Sequence, residues 1–359
     1  MDPGARSRAL SPMSDIDRFK PEDRRGVDTL YRRTHGADAA AADRLRWNWQ
    51  HRRNPYNTTG EPHIWVAREG PTIVGQYPTR PVRVSLKGME VDGAWGSLSI
   101  IAPERDQQGL DESLVRAWDR NNGVVLALRP TSESPELLRR LMFPEPQSVP
   151  CVVKPLTRRA ARFPNVPQPI NAIVSALLYP VVQIVSRSRP LRAECKPIRR
   201  FDAAFTALWE QLAAQFDLAV RRDAAYLNWR YMDPPHVRYS AVALKRHGEV
   251  HGYAVYRHRQ EPLGRVTLLV DFLAHPDDVS GIKTLLRWVD REARAEDADK
   301  IRCHVMNAAF RRVLKRNGYF GVRSNLEVTA KVNAVQVPKG FYTDTDGWHI
   351  TQGDSEFDG

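Results

Sequence analysis

The densest run of chemistry-bearing side chains is Asp223-x-x-Tyr226-Leu227-Asn228-Trp229-Arg230-Tyr231, followed by Pro234-Pro235. Aromatic faces beside a guanidinium stack on ring-shaped ligands and grip anionic groups, so Tyr226, Asn228, Trp229, Arg230 and Tyr231 are candidate substrate contacts. The same pattern also suits a helix that packs its aromatics into the core. Cys303 is a nucleophile only beside a base, and His304, the next residue on an alternating strand, points to the opposite face. Asp344-x-Asp346-Gly347 is half of a calcium loop without its closing glutamate, so it reads as a polar turn and no metal site is expected.

Rigid elements must position such residues, and Asp271 to Phe320 reads as strand, helix, strand, helix. Val266 to Ala274 is rich in β-branched residues and leucine and stops at His275-Pro276, because proline has no N–H for a ladder. Ile282, Leu285, Leu286 and Val289 then recur at helical spacing. Ile301 to Met306 alternates as a strand, and Asn307 caps a helix with Phe310, Val313 and Leu314 on one stripe. Gly318 closes it. Upstream, the reading is a cap region with a polar helix over 16–31, a helix over 37–53, hairpins turning at Glu69-Gly70 and Lys87-Gly88, and a strand from Gly96 to Ala102. A helix over 110–118, a strand over 124–128 and a helix over 135–142 follow.

The order repeats. Asn48-Trp49 and Asn54-Pro55 match Asn228-Trp229 and Asp233-Pro234; Val74-Gly75 matches His251-Gly252; Ala102-Pro103 with 114–118 matches His275-Pro276 with 285–288; and 135–143 matches 312–320. The expected fold class is α/β (α+β), with two tandem domains, each a mixed central sheet flanked by helices. The boundaries read as a tail over 1–13, a first domain over 14–153, a linker over 154–200, a second domain over 201–350 and an acidic tail over 351–359, with Met1 or Met13 as the start.

This order, with the "HP" strand end and the Asn-x-x-Phe…Arg-Asn-Gly-Tyr-Phe close, resembles the core of the GNAT acyl-coenzyme A transferases. The resemblance implies two parallel strands that splay to admit acetyl-CoA or another acyl-CoA, with the pyrophosphate on the next helix N-terminus. Carried over to this chain, cofactor contacts fall on Leu273, Ala274, Gly281, Ile282, Lys283 and Asn307, and a base that relays a proton from the acceptor falls on Asp271. Asn307 stands beside Asp271 as the second candidate catalytic residue. A strand-end aspartate and a capping asparagine also have purely structural roles. The family's phosphate loop keeps one glycine in each copy: Val279-Ser280-Gly281-Ile282-Lys283 in the second, and Asp106-Gln107-Gln108-Gly109-Leu110-Asp111 in the first. Carboxylates at 106 and 111 would repel a pyrophosphate, so the second copy is expected to bind the cofactor more tightly. Leu314 occupies the family's general-acid tyrosine position, and Tyr319 a packing one. The aromatic patch resembles GNAT-like proteins of bacterial exopolysaccharide and capsule gene clusters, which implies transfer to an amine or hydroxyl of a small-molecule or glycan acceptor. A non-catalytic binding protein and an aminoacyl transferase of the FemAB type are the alternatives.

The formal charge of +12 is concentrated, with +9 between Lys154 and Arg200. That segment lacks the interleaved aromatics that stack on bases, so no specific nucleic-acid partner is expected. Within it Ile170 to Val185 is apolar but too short to span a bilayer of about 30 Å. It reads either as a helix lying on an anionic membrane surface, with basic clusters over 158–192 on the headgroups, or as a helix packed between domains. Three scattered cysteines and no apolar leader fit a cytoplasmic protein, peripheral to the inner membrane face if the surface helix forms.

Overall fold

A computed structural model of the chain describes residues 15–105, 107–131, 136–158, 160 and 194–354. The first half runs β1 (Asp15–Arg18), α1 (Arg24–His35), α2 (Ala37–Trp47), β2 (Ile64–Glu69), β3 (Thr72–Leu86), β4 (Met89–Gly96), β5 (Ile100–Ile101), α3 (Gln107–Arg120), β6 (Val124–Pro130), α4 (Glu136–Arg140), β7 (Gln147–Ser148) and β8 (Cys151–Pro155). The second runs β9 (Glu194–Ile198), α5 (Ala203–Leu212), β10 (Leu218–Val220), α6 (Ala224–Leu227), β11 (Ser240–Arg246), β12 (Glu249–Glu261), β13 (Gly264–Ala274), α7 (Val279–Ala295), β14 (Lys300–His304), α8 (Ala308–Lys315), β15 (Phe320–Val322), β16 (Leu326–Val332) and β17 (Trp348–His349).

Two mixed sheets, each flanked by helices, carry this order. One sheet contains the path β1-β2-β3-β4-β6-β16-β7, with β5 and β10 also on β3 and β17 on β10; the other is β15-β8-β14-β13-β12-β11-β9. The expected units 14–153 and 201–350 exchange strands. β8 pairs antiparallel with β14, and β16 pairs antiparallel with β6, so each sheet is completed by the other half. The apolar stripe of α7, including Ile282, Leu285, Leu286 and Val289, is buried over β11 and β12.

Three local readings differ from what forms. Asp15–Arg18 is a strand on β2 rather than part of a helix cap, because Ile16 and Phe19 pack into the first core. The strand after the first hairpin turn, expected over Ile73 to Tyr77, and the strand before the second, expected over Val82 to Leu86, are one, since Pro78 falls where β3 leaves β2 and takes up β4. Thr351–Asp354, the described part of the expected acidic tail, is buried at all four residues. Ile170 to Val185 and the clusters over 161–193 lie outside the described residues. Among those described, no helix is long and apolar enough to cross a membrane.

Candidate active site

In the first half β4 and β6 run parallel from Gly93↔Val124 to Trp95↔Leu126, and there the pairing ends. Among the described residues β5 then pairs only with β3, so the two strands part. Gly96 sits at the parting point, where a Cβ would collide with the Tyr77 hydroxyl and the Trp118 ring. The opening there is a small void of about 10 Å³ lined by Arg80, Trp95, Gly96, Ser97, Leu98, Leu128 and Arg129. Arg80, Ser97 and Leu98 also line a larger cleft of about 190 Å³ between α1, α2 and β3, walled by Trp47, Trp49, Gln76 and His51.

Trp49 and His51 stand on a π-helical turn, Asn48–Arg52, and the second half has the same turn at Asn228–Met232. Such turns widen a helix and re-aim its side chains. The turns face each other. Trp49 Nε1 donates to the Trp229 carbonyl at 2.6 Å, Trp229 Nε1 donates to the Trp49 carbonyl at 2.7 Å, and the rings stack at 5.3 Å. His51 is buried, and burial followed by the charges of Arg24 and Arg80 pushes its imidazole down to about 3, so it stays neutral. On α3, the Ser99 hydroxyl donates to Asp111, whose carboxyl is pushed up by burial. Asp106 lies outside the described residues.

The second half has the same architecture with its spaces taken. β13 and β14 pair from Val266↔Lys300 to Leu269↔Cys303, and beyond that the chain's own segment Trp348–Asp354 enters. Val305 bridges Thr351, and the Met306 N–H donates to the Ile350 carbonyl at 2.9 Å. Gly353 fits there because a Cβ would meet the Tyr231 hydroxyl and Asp271.

Asp271 lies at the bottom of this segment with 0% exposure. It accepts from the Arg222 guanidinium at 3.2 Å, the Tyr253 hydroxyl at 2.9 Å and the Thr351 hydroxyl at 3.1 Å, while Arg222 also grips Asp354 at 2.8 Å. Burial works against the Asp271 charge, but Arg222 outweighs it and the carboxyl is held below its usual range; Asp354, penalised by burial, is raised. His349 lies beside them, kept neutral at about 3 by burial and by Arg222.

The other residues singled out from sequence fall as follows. Leu273, Ala274, Gly281 and Ile282 are buried in the second core, and Lys283 is half-buried on α7. The N-terminus of α7 holds a carboxylate of its own chain: Asp278 accepts from the Gly281 N–H at 2.9 Å and is clasped by Arg246 at 2.8 and 2.9 Å. Asn307 caps α8, accepting from Ala309 and Phe310 N–H groups at 3.0 and 3.3 Å. Of the aromatic patch, Tyr226, Trp229 and Tyr231 are core residues, and Asn228 exchanges two hydrogen bonds with the Phe201 backbone. Arg230 alone of the five reaches the first-half cleft. Sequence reasoning missed that cleft, although Trp47 and Trp49 beside Arg46 and His51 were visible in it. It also missed Arg222, the partner of Asp271. Among the described residues no cluster of His, Cys, Asp and Glu could hold a metal ion.

No protein-family model matches the chain, and no curated protein matches it. Solved structures do. A GCN5-related N-acetyltransferase from Anabaena variabilis is 11% identical, with a TM-score of 0.61 over 89% of this chain and 73% of that one. Saccharomyces cerevisiae N-myristoyltransferase, solved with bound myristoyl-CoA, gives 11% identity and a TM-score of 0.54 over 90% and 83%. Eis1 from Mycobacterium abscessus gives 13% and 0.55 over 89% and 73%. At these identities the likeness is one of fold: the chain has the GNAT-like architecture expected from its sequence, and it also resembles the N-myristoyltransferase fold, which was not expected.

Proposed function

We propose that the protein is an acyltransferase that takes an acyl-CoA where β4 and β6 part and passes the acyl group to an amine or hydroxyl of a small molecule held in the adjoining cleft. One observation carries this reading: the opening in the first half joins a cleft through Arg80, Ser97 and Leu98. The edge of β5 away from β3 has no partner strand among the described residues, which leaves backbone groups for the amides of a pantetheine arm. In the transfer, the nucleophile bonds to the thioester carbonyl carbon, the C–S bond breaks, and coenzyme A leaves as the thiol with the proton the nucleophile gives up. The similar structures include an N-acetyltransferase and an N-myristoyltransferase with bound myristoyl-CoA, which supports that co-substrate. Trp47 and Trp49 are among the residues that line the cleft beside the acceptor. Asp271 has a structural role in this reading, because the chain's own groups consume its lone pairs.

Leu98→Trp tests it. Leu98 is 42% exposed, so the larger ring fills the opening without displacing core. Calorimetry of the full chain is expected to show acetyl-CoA or myristoyl-CoA binding that the variant weakens at least tenfold, with a melting temperature unchanged to about 2 °C. A parent that binds neither thioester, or a variant that binds as well as the parent, would sink the proposal.

A further inference from the structure

The residues that line the first-half cleft carry polar atoms that, among the described residues, have no hydrogen-bond partner. Gln76 Oε1 and His51 Nδ1 are sealed from solvent and have no partner, on side chains that are 1% and 4% exposed. Arg46 Nε is in the same condition, and among the described residues Arg46 forms no ion pair. A buried donor or acceptor without a partner costs about 1–3 kcal/mol, so three along one cavity wall point to a ligand that supplies the missing groups. The charges lining the cleft are Arg46, Arg80 and Arg230 against Asp43, a positive balance in which His51 stays neutral. A cleft of about 190 Å³ suits a small ligand.

Building on the acyltransferase reading, we propose that the acceptor is a small anionic molecule whose carboxylate or phosphate pairs with Arg46 and whose N–H or O–H donates to Gln76 Oε1. A guanidinium takes either anion in two parallel hydrogen bonds, and a neutral amide oxygen takes the donor without drawing it into an ion pair. The neutral His51 adds no fourth positive charge, and its Nδ1 remains for a further polar group of the acceptor.

Matched pairs of probes separate the two anions. The full chain is titrated by calorimetry with glucosamine 6-phosphate against glucosamine, and with phenylalanine against phenylalaninamide. At least one anionic member is expected to bind tenfold or more tightly than its neutral partner, and the pair that shows the difference identifies the anion. Arg46→Met, which removes no ion pair and keeps the α2 stem, is expected to reduce that preference below twofold. Neutral partners that bind as well, a preference that survives Arg46→Met, or no binding of either anion by a chain that takes acetyl-CoA would each overturn the inference. A preference for the anion in a chain that ignores acyl-CoA would keep this inference and remove the acyltransferase reading, so the two fail separately.

Discussion

The two halves place corresponding residues at corresponding points and use them in opposite ways. Gly75 pairs with Ile101 as Gly252 pairs with Ala274, so Gln76 corresponds to Tyr253. His51 and Tyr231 each follow the tryptophan of the reciprocal pair by two positions, and Leu98 and Asp271 each stand five residues before the proline that ends the strand. In the first half Gln76 and His51 are left with unsatisfied atoms around a cavity. In the second, Tyr253 donates to Asp271, Tyr231 packs on Gly353, and the chain's own tail fills the parting of the strands, although among the described residues neither ring nitrogen of His349 has a hydrogen-bond partner there. The anion position differs in the same sense, since Asp278 occupies the α7 N-terminus as a bound phosphate would. An open cleft lined with polar atoms lowers stability, whereas a site packed with the chain's own groups contributes to it.

The largest effect expected from this contrast is on stability. Arg222→Met leaves Asp271 and Asp354 facing each other in the interior, and breaking a buried pair in this way costs about 3–5 kcal/mol. Arg46→Met, which breaks no pair, should cost about 0.5 kcal/mol or less. Urea titration of both variants compares filled and vacant sites directly. A loss below about 1 kcal/mol for Arg222→Met would mean that the cluster does not hold the tail, and the contrast between the halves would lose its energetic basis.

Much of the fold was legible because it is written locally. The alternation of β13, the stripe of α7, the Asn307 cap and the paired Asn-Trp steps all depend on neighbours within a turn or two. Less local features were not. Nothing near Asp271 says that Arg222, 49 residues away, neutralises it, so a strand-end carboxylate read as a base. The expectation that the second copy binds the cofactor more tightly rested on which carboxylates flank each glycine, and it could not see a tail that returns after Trp348 to fill the strands. The exchange of β8 and β16 is equally silent, since strand patterning fixes which face is buried and not which sheet receives it.

Per site and per pH unit, a pH experiment gives the next effect in size. His51 in the vacant cleft and His349 in the filled one are each pushed down to about 3 by burial, while His63 and His304 are pushed down to about 4. Their folded values lie below the unfolded value of about 6.5, so the unfolded chain binds protons that the native state refuses. Stability is therefore full above pH 6.5 and falls as the pH drops toward 4, each site contributing up to about 1.4 kcal/mol per pH unit. Asp271, held below the usual carboxylate range, loses its contribution only at lower pH, outside this window. Unfolding at pH 5 should take up roughly three to four protons from these imidazoles. The comparison sharpens with ligand: an anionic acceptor seated beside His51 should change the uptake assigned to His51, measured as the difference from His51→Gln, and leave that of His349, measured against His349→Phe, as it was. Equal changes at both would place the ligand elsewhere.

The smallest effect tests whether the halves are equivalent where they meet. Trp49 and Trp229 exchange indole hydrogen bonds with each other's carbonyls at 2.6 and 2.7 Å and stack at 21° between planes. Both are buried, and both stand on the π-helical turns that lead into the two clefts. Trp49→Phe and Trp229→Phe each remove one donor, leave one carbonyl without its partner and shrink one ring, so each is expected to cost about 1–3 kcal/mol and the two to agree within about 0.5 kcal/mol. The double variant should cost less than the sum by about 0.5–1.5 kcal/mol, because the ring pair is lost only once. Urea midpoints of the four chains give all three quantities. If Trp229→Phe cost no more than a surface change while Trp49→Phe cost several times as much, the contact would belong to the first half alone. The vacant cleft would then be braced by its neighbour in one direction, and the difference between the two sites would begin at this contact rather than at the tail.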